Sequence, residues 1–198
     1  MAHLEPLDID LHSDELKPIF DQYTKALGFV PNSVLILQRR PKIVKALAQL
    51  SAAVWDAESG TVEPGFKRLI AHMASRASGC RYCMAHTAGL ALHWGIEPAK
   101  FEAIWEYSTS PLYSEAERVA LDFSLAAAAV PNAVDDVLFG HMRRHWSDDQ
   151  IVEIAAVISY FGFMNRWNDT MATPLEQEPQ EVGEKYLRSH GWSTGKHV

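Results

Sequence analysis

Apolar residues recur along this chain at spacings of three and four, and no stretch alternates apolar and polar positions between hairpin turns such as Asn-Gly or Asp-Gly. The pattern predicts an all-α fold, a helical bundle. Ser13-Asp14-Glu15 reads as a cap before a helix over about Leu16 to Leu27, stopped by Gly28, with Pro31-Asn32 as a loop and the next helix entry. Pro41 opens a helix reaching about Asp56, Pro64 opens another reaching about Ala77, and Ser78-Gly79 breaks it. A helix from Cys80 to about Trp94 closes at Gly95, and Pro98 opens a shorter one reaching Tyr107. Ser114-Glu115-Ala116-Glu117 has the form of a capping box ahead of Arg118–Val130, and Pro131-Asn132 separates this helix from one around Val134–Arg144. Ser147-Asp148-Asp149 then caps the longest apolar-periodic run, Gln150 to about Met171. The tail from Pro174 carries Glu176, Glu178, Glu181 and Glu184 before a polar, glycine-containing end, which predicts a last short helix and a loose terminus. Such periodicity names a fold class and no function.

Composition narrows the field. With 198 residues, 47% of them hydrophobic and 22% charged, the chain is expected to form one globular domain with a real core. The net charge of −7 and the lack of a dense basic run argue against nucleic acid as a partner. No apolar stretch approaches the ~20 residues of a membrane-spanning helix, and Met1-Ala2-His3-Leu4-Glu5 is acidic where a signal peptide is basic, so a cytoplasmic location is expected. Neither a phosphate-binding loop nor a dinucleotide glycine fingerprint is present, so no nucleotide cofactor is expected. The only two cysteines, Cys80 and Cys83, stand three positions apart, too close to staple distant parts of a fold. Their use is expected to be chemical.

Ser78-Gly79-Cys80-Arg81-Tyr82-Cys83-Met84-Ala85-His86-Thr87 places Cys-x-x-Cys-x-x-His at the start of a predicted helix. Residues three apart share a helix face, and the unpaired amides of a first helical turn favour thiolate over thiol. A thiolate attacks a peroxide or disulfide, and a neighbouring thiol resolves the product. His86, one turn beyond Cys83, is in register to move the proton. A structural zinc site competes poorly, because only Cys80, Cys83 and His86 cluster where about four ligands are needed. Covalent haem attachment requires a His where Met84 stands. Two inert buried cysteines are the remaining alternative.

Ala74 to Thr87, with the cysteine pair at its centre, resembles the core motif of the AhpD-like superfamily, the alkylhydroperoxidase and carboxymuconolactone decarboxylase-like proteins. Pro64 to about Trp94 corresponds to that superfamily's core helix pair. Asn165-Arg166-Trp167-Asn168-Asp169 resembles a stretch of its peroxidase-related members, and Leu27-Gly28-Phe29-Val30-Pro31-Asn32 resembles their N-terminal extension. The resemblance divides the chain into an extension (1–60), a core (61–173) and a polar tail (174–198) of the same domain. It implies an all-helical fold assembling into dimers, trimers or hexamers, a small hydroperoxide as substrate and an external thiol reductant or redox protein as partner. It also implies Cys83 as the peroxidatic thiol and Cys80 as the resolving one, whereas the helix potential, strongest at the N-terminus, points to Cys80. The family's peroxidase motif carries Glu, His and His where this chain has Arg68, Tyr82 and Thr87, leaving His86 as the stand-in for the last and no counterpart for the Glu. Arg68 is expected to be a solvated helix arginine, His72 a packed histidine, and Glu58 or Glu63 could fold over the site.

The polar cluster from Asn165 to Thr170 is expected to be structural, with Arg166 the member best suited to lock an interface. Trp55, Trp94, Trp105, Trp146 and Trp167 are spread as core or interface residues rather than as a cage. Three functions remain open: a thiol-dependent peroxidase using Cys80, Cys83 and His86; a non-catalytic redox sensor or structural oligomer; and a lactone decarboxylase-like lyase needing a pair such as His72 with His86.

Overall fold

The structure is a computed structural model that describes residues 2–198, apart from the side chains of His12 and Ser13; the capping role expected of the Ser13 side chain therefore lies outside the described residues. No strand occurs among them, and none of their helices is long and apolar enough to cross a membrane. The helices are α1 (Ser13–Leu27), α2 (Asn32–Leu37), α3 (Pro41–Val54), α4 (Pro64–Ser78), α5 (Arg81–His93), α6 (Pro98–Glu102), α7 (Glu115–Ala128), α8 (Asp136–His145), α9 (Asp148–Met171) and α10 (Gln177–Tyr186).

The starts and stops follow local chemistry. The capping box expected at Ser114 forms with Glu117, and the cap expected at Ser147 is also a box, closed by Gln150. At α4, Pro64 takes the first helical position and the Glu63 carboxylate accepts the amides of Gly65 and Phe66, so Glu63 caps the helix rather than covering the site. Gly79, left-handed at φ 72°, ends α4 and turns the chain straight into α5. The segment expected as one helix from Pro98 to Tyr107 tightens to a 3-10 turn at Ala103–Glu106.

The core is built on α4. Every residue from Gly65 to Ser75 is buried, and the helix packs against α5, α7 and α9. Ile70, Met73 and Ala74 are fully covered, and so are Leu121 of α7 and Ile154 of α9. The terminus expected to be loose is instead locked down. Trp192 and His197 are buried, His197 Nδ1 lies 2.8 Å from the Thr173 carbonyl, Leu175 N–H donates to the His197 carbonyl at 3.0 Å, and Trp192 Nε1 donates to the Arg81 carbonyl at 3.0 Å. An aromatic anchor returning to α5 outweighs the polar composition of the segment.

One charged group sits inside this core. Lys67 of α4 is buried, and its ammonium donates to the Val54 carbonyl at 2.9 Å and to Glu153 of α9 at 2.7 Å. The other Glu153 oxygen accepts the amides of Thr61 and Val62, so one ion pair ties the α3–α4 connection to α9. Burial raises the Glu153 pKa, but the Lys67 charge and those amides outweigh it and hold the carboxyl below its ordinary value. We expect Lys67→Met to lower stability at neutral pH by about 3 kcal/mol, because the Glu153 charge loses its partner. The loss should shrink as pH falls through the carboxylate range, where protonation removes that charge. Urea unfolding of both proteins at two pH values measures it.

Candidate active site

The Gly79 turn delivers Cys80 to the N-cap position of α5, where its sulfur accepts the Cys83 amide at 3.5 Å. Both cysteines are reduced and buried, and Cys83 stands one helical turn on. The hydrogen bond from the Cys83 side chain lowers the Cys80 pKa, helped by the amides of Cys83 and Tyr82, against opposing contributions from burial and from Asp169. Burial pushes the Cys83 thiol up, the Cys80 charge pushes it further, and the hydrogen bond from Asn168 only partly offsets them. Of the two, Cys80 is therefore the thiol that ionises first, with the Cys83 thiol as its hydrogen-bond donor. This agrees with the helix-potential argument. Access points the other way: Cys83 lines a cavity of about 430 Å³, and Cys80 does not.

Asn168 of α9 donates from Nδ2 to the Cys83 sulfur at 3.4 Å, and the Thr173 hydroxyl fixes that orientation by donating to Asn168 Oδ1 at 3.0 Å. Between them Ala172 closes α9 in the left-handed region at φ 48°, a conformation disfavoured for a residue with a Cβ. Within the cluster from Asn165 to Thr170, it is thus Asn168 that reaches the thiols. Arg166 is exposed on an open groove elsewhere, and Asn165 is buried with neither amide atom partnered.

His86 also lines the cavity, and its Nε2 lies 2.7 Å from Glu176 Oε2. The other Glu176 oxygen accepts the Tyr82 hydroxyl at 2.8 Å and the Asn32 amide at 2.5 Å. Burial raises the Glu176 pKa, but His86, the Asn32 amide and Tyr82 together outweigh it and keep the carboxyl below its ordinary value. Glu176 stands at the start of α10, yet its side chain caps nothing there and turns to α5. A Glu and a His thus meet beside the dithiol although the familiar position for the Glu holds Arg68. The carboxylate comes from the opposite end of the chain.

Arg68 and His72 depart from expectation in different ways. Arg68 is not solvated: it is 5% exposed, and its guanidinium packs over the rings of Trp55 at 3.9 Å and Trp94 at 4.5 Å, which therefore do cluster. His72 is packed, as expected, with Nδ1 3.0 Å from Thr87 Oγ1 and its ring edge-on to Phe101. Burial lowers its pKa to about 4, and it does not line the cavity that holds Cys83 and His86. Glu58 is exposed in the loop after α3.

Comparison with known proteins agrees with this architecture. The carboxymuconolactone decarboxylase family matches residues 41–135. The debrominase Bmp8 is 32% identical in its apo form, with a TM-score of 0.85, over 92% of this chain and 96% of that one. The chain belongs to the AhpD/carboxymuconolactone decarboxylase-like superfamily. An alkylhydroperoxidase AhpD core protein from Ralstonia eutropha JMP134, described as peroxidase-related, shares the fold at 22% identity with a TM-score of 0.78, covering 90% of this chain and 94% of that one. YnjA of Escherichia coli K12 is 26% identical over 115 residues, 58% of this chain, and the match spans 63% of its own length.

Sequence reasoning had no route to Glu176, one of four tail glutamates. Asn168 lay inside a cluster already singled out, and its place at the end of α9 was the available signal. The shared charge makes a paired prediction: Cys83→Ala should raise the Cys80 pKa, whereas Cys80→Ala should lower that of Cys83 but leave it above an ordinary thiol, since burial remains. Thiolate absorbance titrated against pH measures both, and unchanged titrations would contradict the shared hydrogen bond.

Proposed function

We propose that this protein is a thiol-dependent peroxidase that reduces small organic hydroperoxides through a Cys80–Cys83 dithiol/disulfide cycle. The observation that carries the reading is the convergence of Cys83 and the Glu176-bound His86 on one cavity, with Cys80 hydrogen-bonded behind.

The Cys83 proton passes to the Cys80 sulfur, and the Cys83 thiolate attacks the terminal peroxide oxygen. An S–O bond forms, the O–O bond breaks, and the departing alkoxide takes a proton from His86, which Glu176 holds in place. The product is an alcohol, with a sulfenic acid on Cys83. The Cys80 sulfur then attacks that sulfur: the S–S bond forms, the S–O bond breaks, and hydroxide leaves with the Cys80 proton as water. Two electrons have moved from the dithiol to the peroxide, and an external dithiol restores the pair. On this reading the more acidic thiol and the attacking thiol are different residues. The lower pKa of Cys80 and the access of Cys83 to the cavity are then both used.

A second reading is favoured by the likeness to Bmp8, 31% identical when in complex with 2,3,4-tribromopyrrole as a cysteine-to-alanine variant. The same dithiol reduces a carbon–bromine bond if Cys83 attacks the bromine, His86 protonates the released carbanion, and Cys80 displaces bromide from sulfur. The aromatic walls of the cavity, Trp55, Trp94, Tyr160 and Phe161, suit a heteroaromatic ring.

Turnover of cumene hydroperoxide with excess dithiothreitol should be lost in both Cys80→Ser and Cys83→Ser, and one equivalent of peroxide should consume both thiols of the wild type. If peroxide leaves the thiols free while a brominated pyrrole releases bromide, the second reading replaces the first. If neither substrate turns over and both thiols stay free, both readings fail.

A further inference from the structure

We infer that Arg68 is a recognition site for an acidic group, and that the substrate of this cavity is an aromatic molecule carrying a carboxylate; the word substrate rests on the reading above, but the binding site does not. The observation is a buried cation without a counterion. Among the described residues Arg68 makes one hydrogen bond, from Nη1 to the Pro64 carbonyl at 3.3 Å, and no carboxylate lies within ion-pair distance. Its Nε is buried and without a partner. Glu63 is the acidic residue that acts on its charge, and that carboxylate is occupied by the α4 cap. Burial lowers the guanidinium pKa to about 10, so the charge persists at neutral pH.

A buried polar group left unpaired is costly, and a buried charge without a partner is costlier still. Here the cost is kept in a cavity of about 430 Å³, within the size range of small-molecule sites. The cavity is lined by Lys25, Arg68, His86 and His93 and by no Asp or Glu, although the chain as a whole carries a net charge of −7. The Glu176 carboxylate behind His86 already holds three hydrogen bonds, so among the groups facing the cavity Arg68 is the buried cation left to receive an anion. With the indoles of Trp55 and Trp94 packed on the guanidinium, its N–H edge is what remains for a ligand, and that edge matches a carboxylate with two parallel hydrogen bonds. Trp55, Trp94, Tyr160 and Phe161 supply flat apolar surface for the ring attached to that carboxylate.

The test is equilibrium binding of benzoate against its neutral analogue benzyl alcohol, read by quenching of the two tryptophans that touch Arg68. The wild type should bind benzoate about tenfold to a hundredfold more tightly, the range of one charge-assisted hydrogen-bonded contact. Arg68→Gln should abolish the preference, and Arg68→Lys, which keeps the charge and loses the fork, should keep part of it. Equal affinities in the wild type, or a preference that survives Arg68→Gln in a protein with wild-type circular dichroism, would overturn the proposal. If the glutamine variant does not fold, the wild-type ratio still decides. The kinetic arm compares cumene hydroperoxide with its para-carboxylated form, whose kcat/KM should be higher by a similar factor. Arg68-dependent benzoate binding without turnover sinks the peroxidase reading alone; turnover without carboxylate preference sinks the anion site alone.

Discussion

A carboxylate removed from water must be given hydrogen bonds in return, and Glu176, carried at the start of α10, receives three from two other parts of the chain: the Asn32 amide at the head of α2, and Tyr82 and His86 on α5. The N-terminal segment, the cysteine helix and the tail cannot drift apart without leaving this group unsatisfied. Other contacts follow the same seam: the Asn32 side chain donates to the Pro174 carbonyl, Arg81 bonds the Ser193 hydroxyl, and Trp192 returns to the Arg81 carbonyl. The tail is therefore part of the wall behind His86 rather than an appendage.

The second constraint is economy of charge at the thiols. Two thiolates side by side in a buried setting would repel strongly, whereas one thiolate hydrogen-bonded to one thiol spreads a single charge over two sulfurs. The first-turn amides and the Asn168 amide favour the negative form, and Asp169 opposes it. Lys196 pairs with Asp169 at 2.9 Å and so shares that opposing carboxylate. In the proposed chemistry this lets Cys83, the sulfur that meets the cavity, act with a proton acceptor already in contact.

Legibility in the sequence followed the range of the interaction. Cap chemistry is local, so the starts at Pro64, Ser114 and Ser147 and the stops at Gly28, Gly79 and Gly95 could be read directly. The three-residue spacing of Cys80, Cys83 and His86 is local too, so the sequence alone groups them as candidates. Glu176 lies 90 positions from the histidine it meets, and three neighbouring glutamates look the same in a linear text. Arg68 failed for a related reason. An arginine on an amphipathic helix is ordinarily solvated, and only the tertiary meeting of Trp55 and Trp94 over it makes burial tolerable. The buried terminus depended likewise on where Trp192 and His197 land, which their own neighbours in sequence do not encode.

The proposed chemistry turns on a tail carboxylate that serves the dithiol through His86. The most direct measurement is the single-turnover rate of disulfide formation after one equivalent of cumene hydroperoxide, in the wild type and in Glu176→Gln. The same final disulfide should form in both, about a hundredfold more slowly in the variant, the usual worth of a positioned proton-transfer group. Equal rates in two equally folded proteins would contradict it.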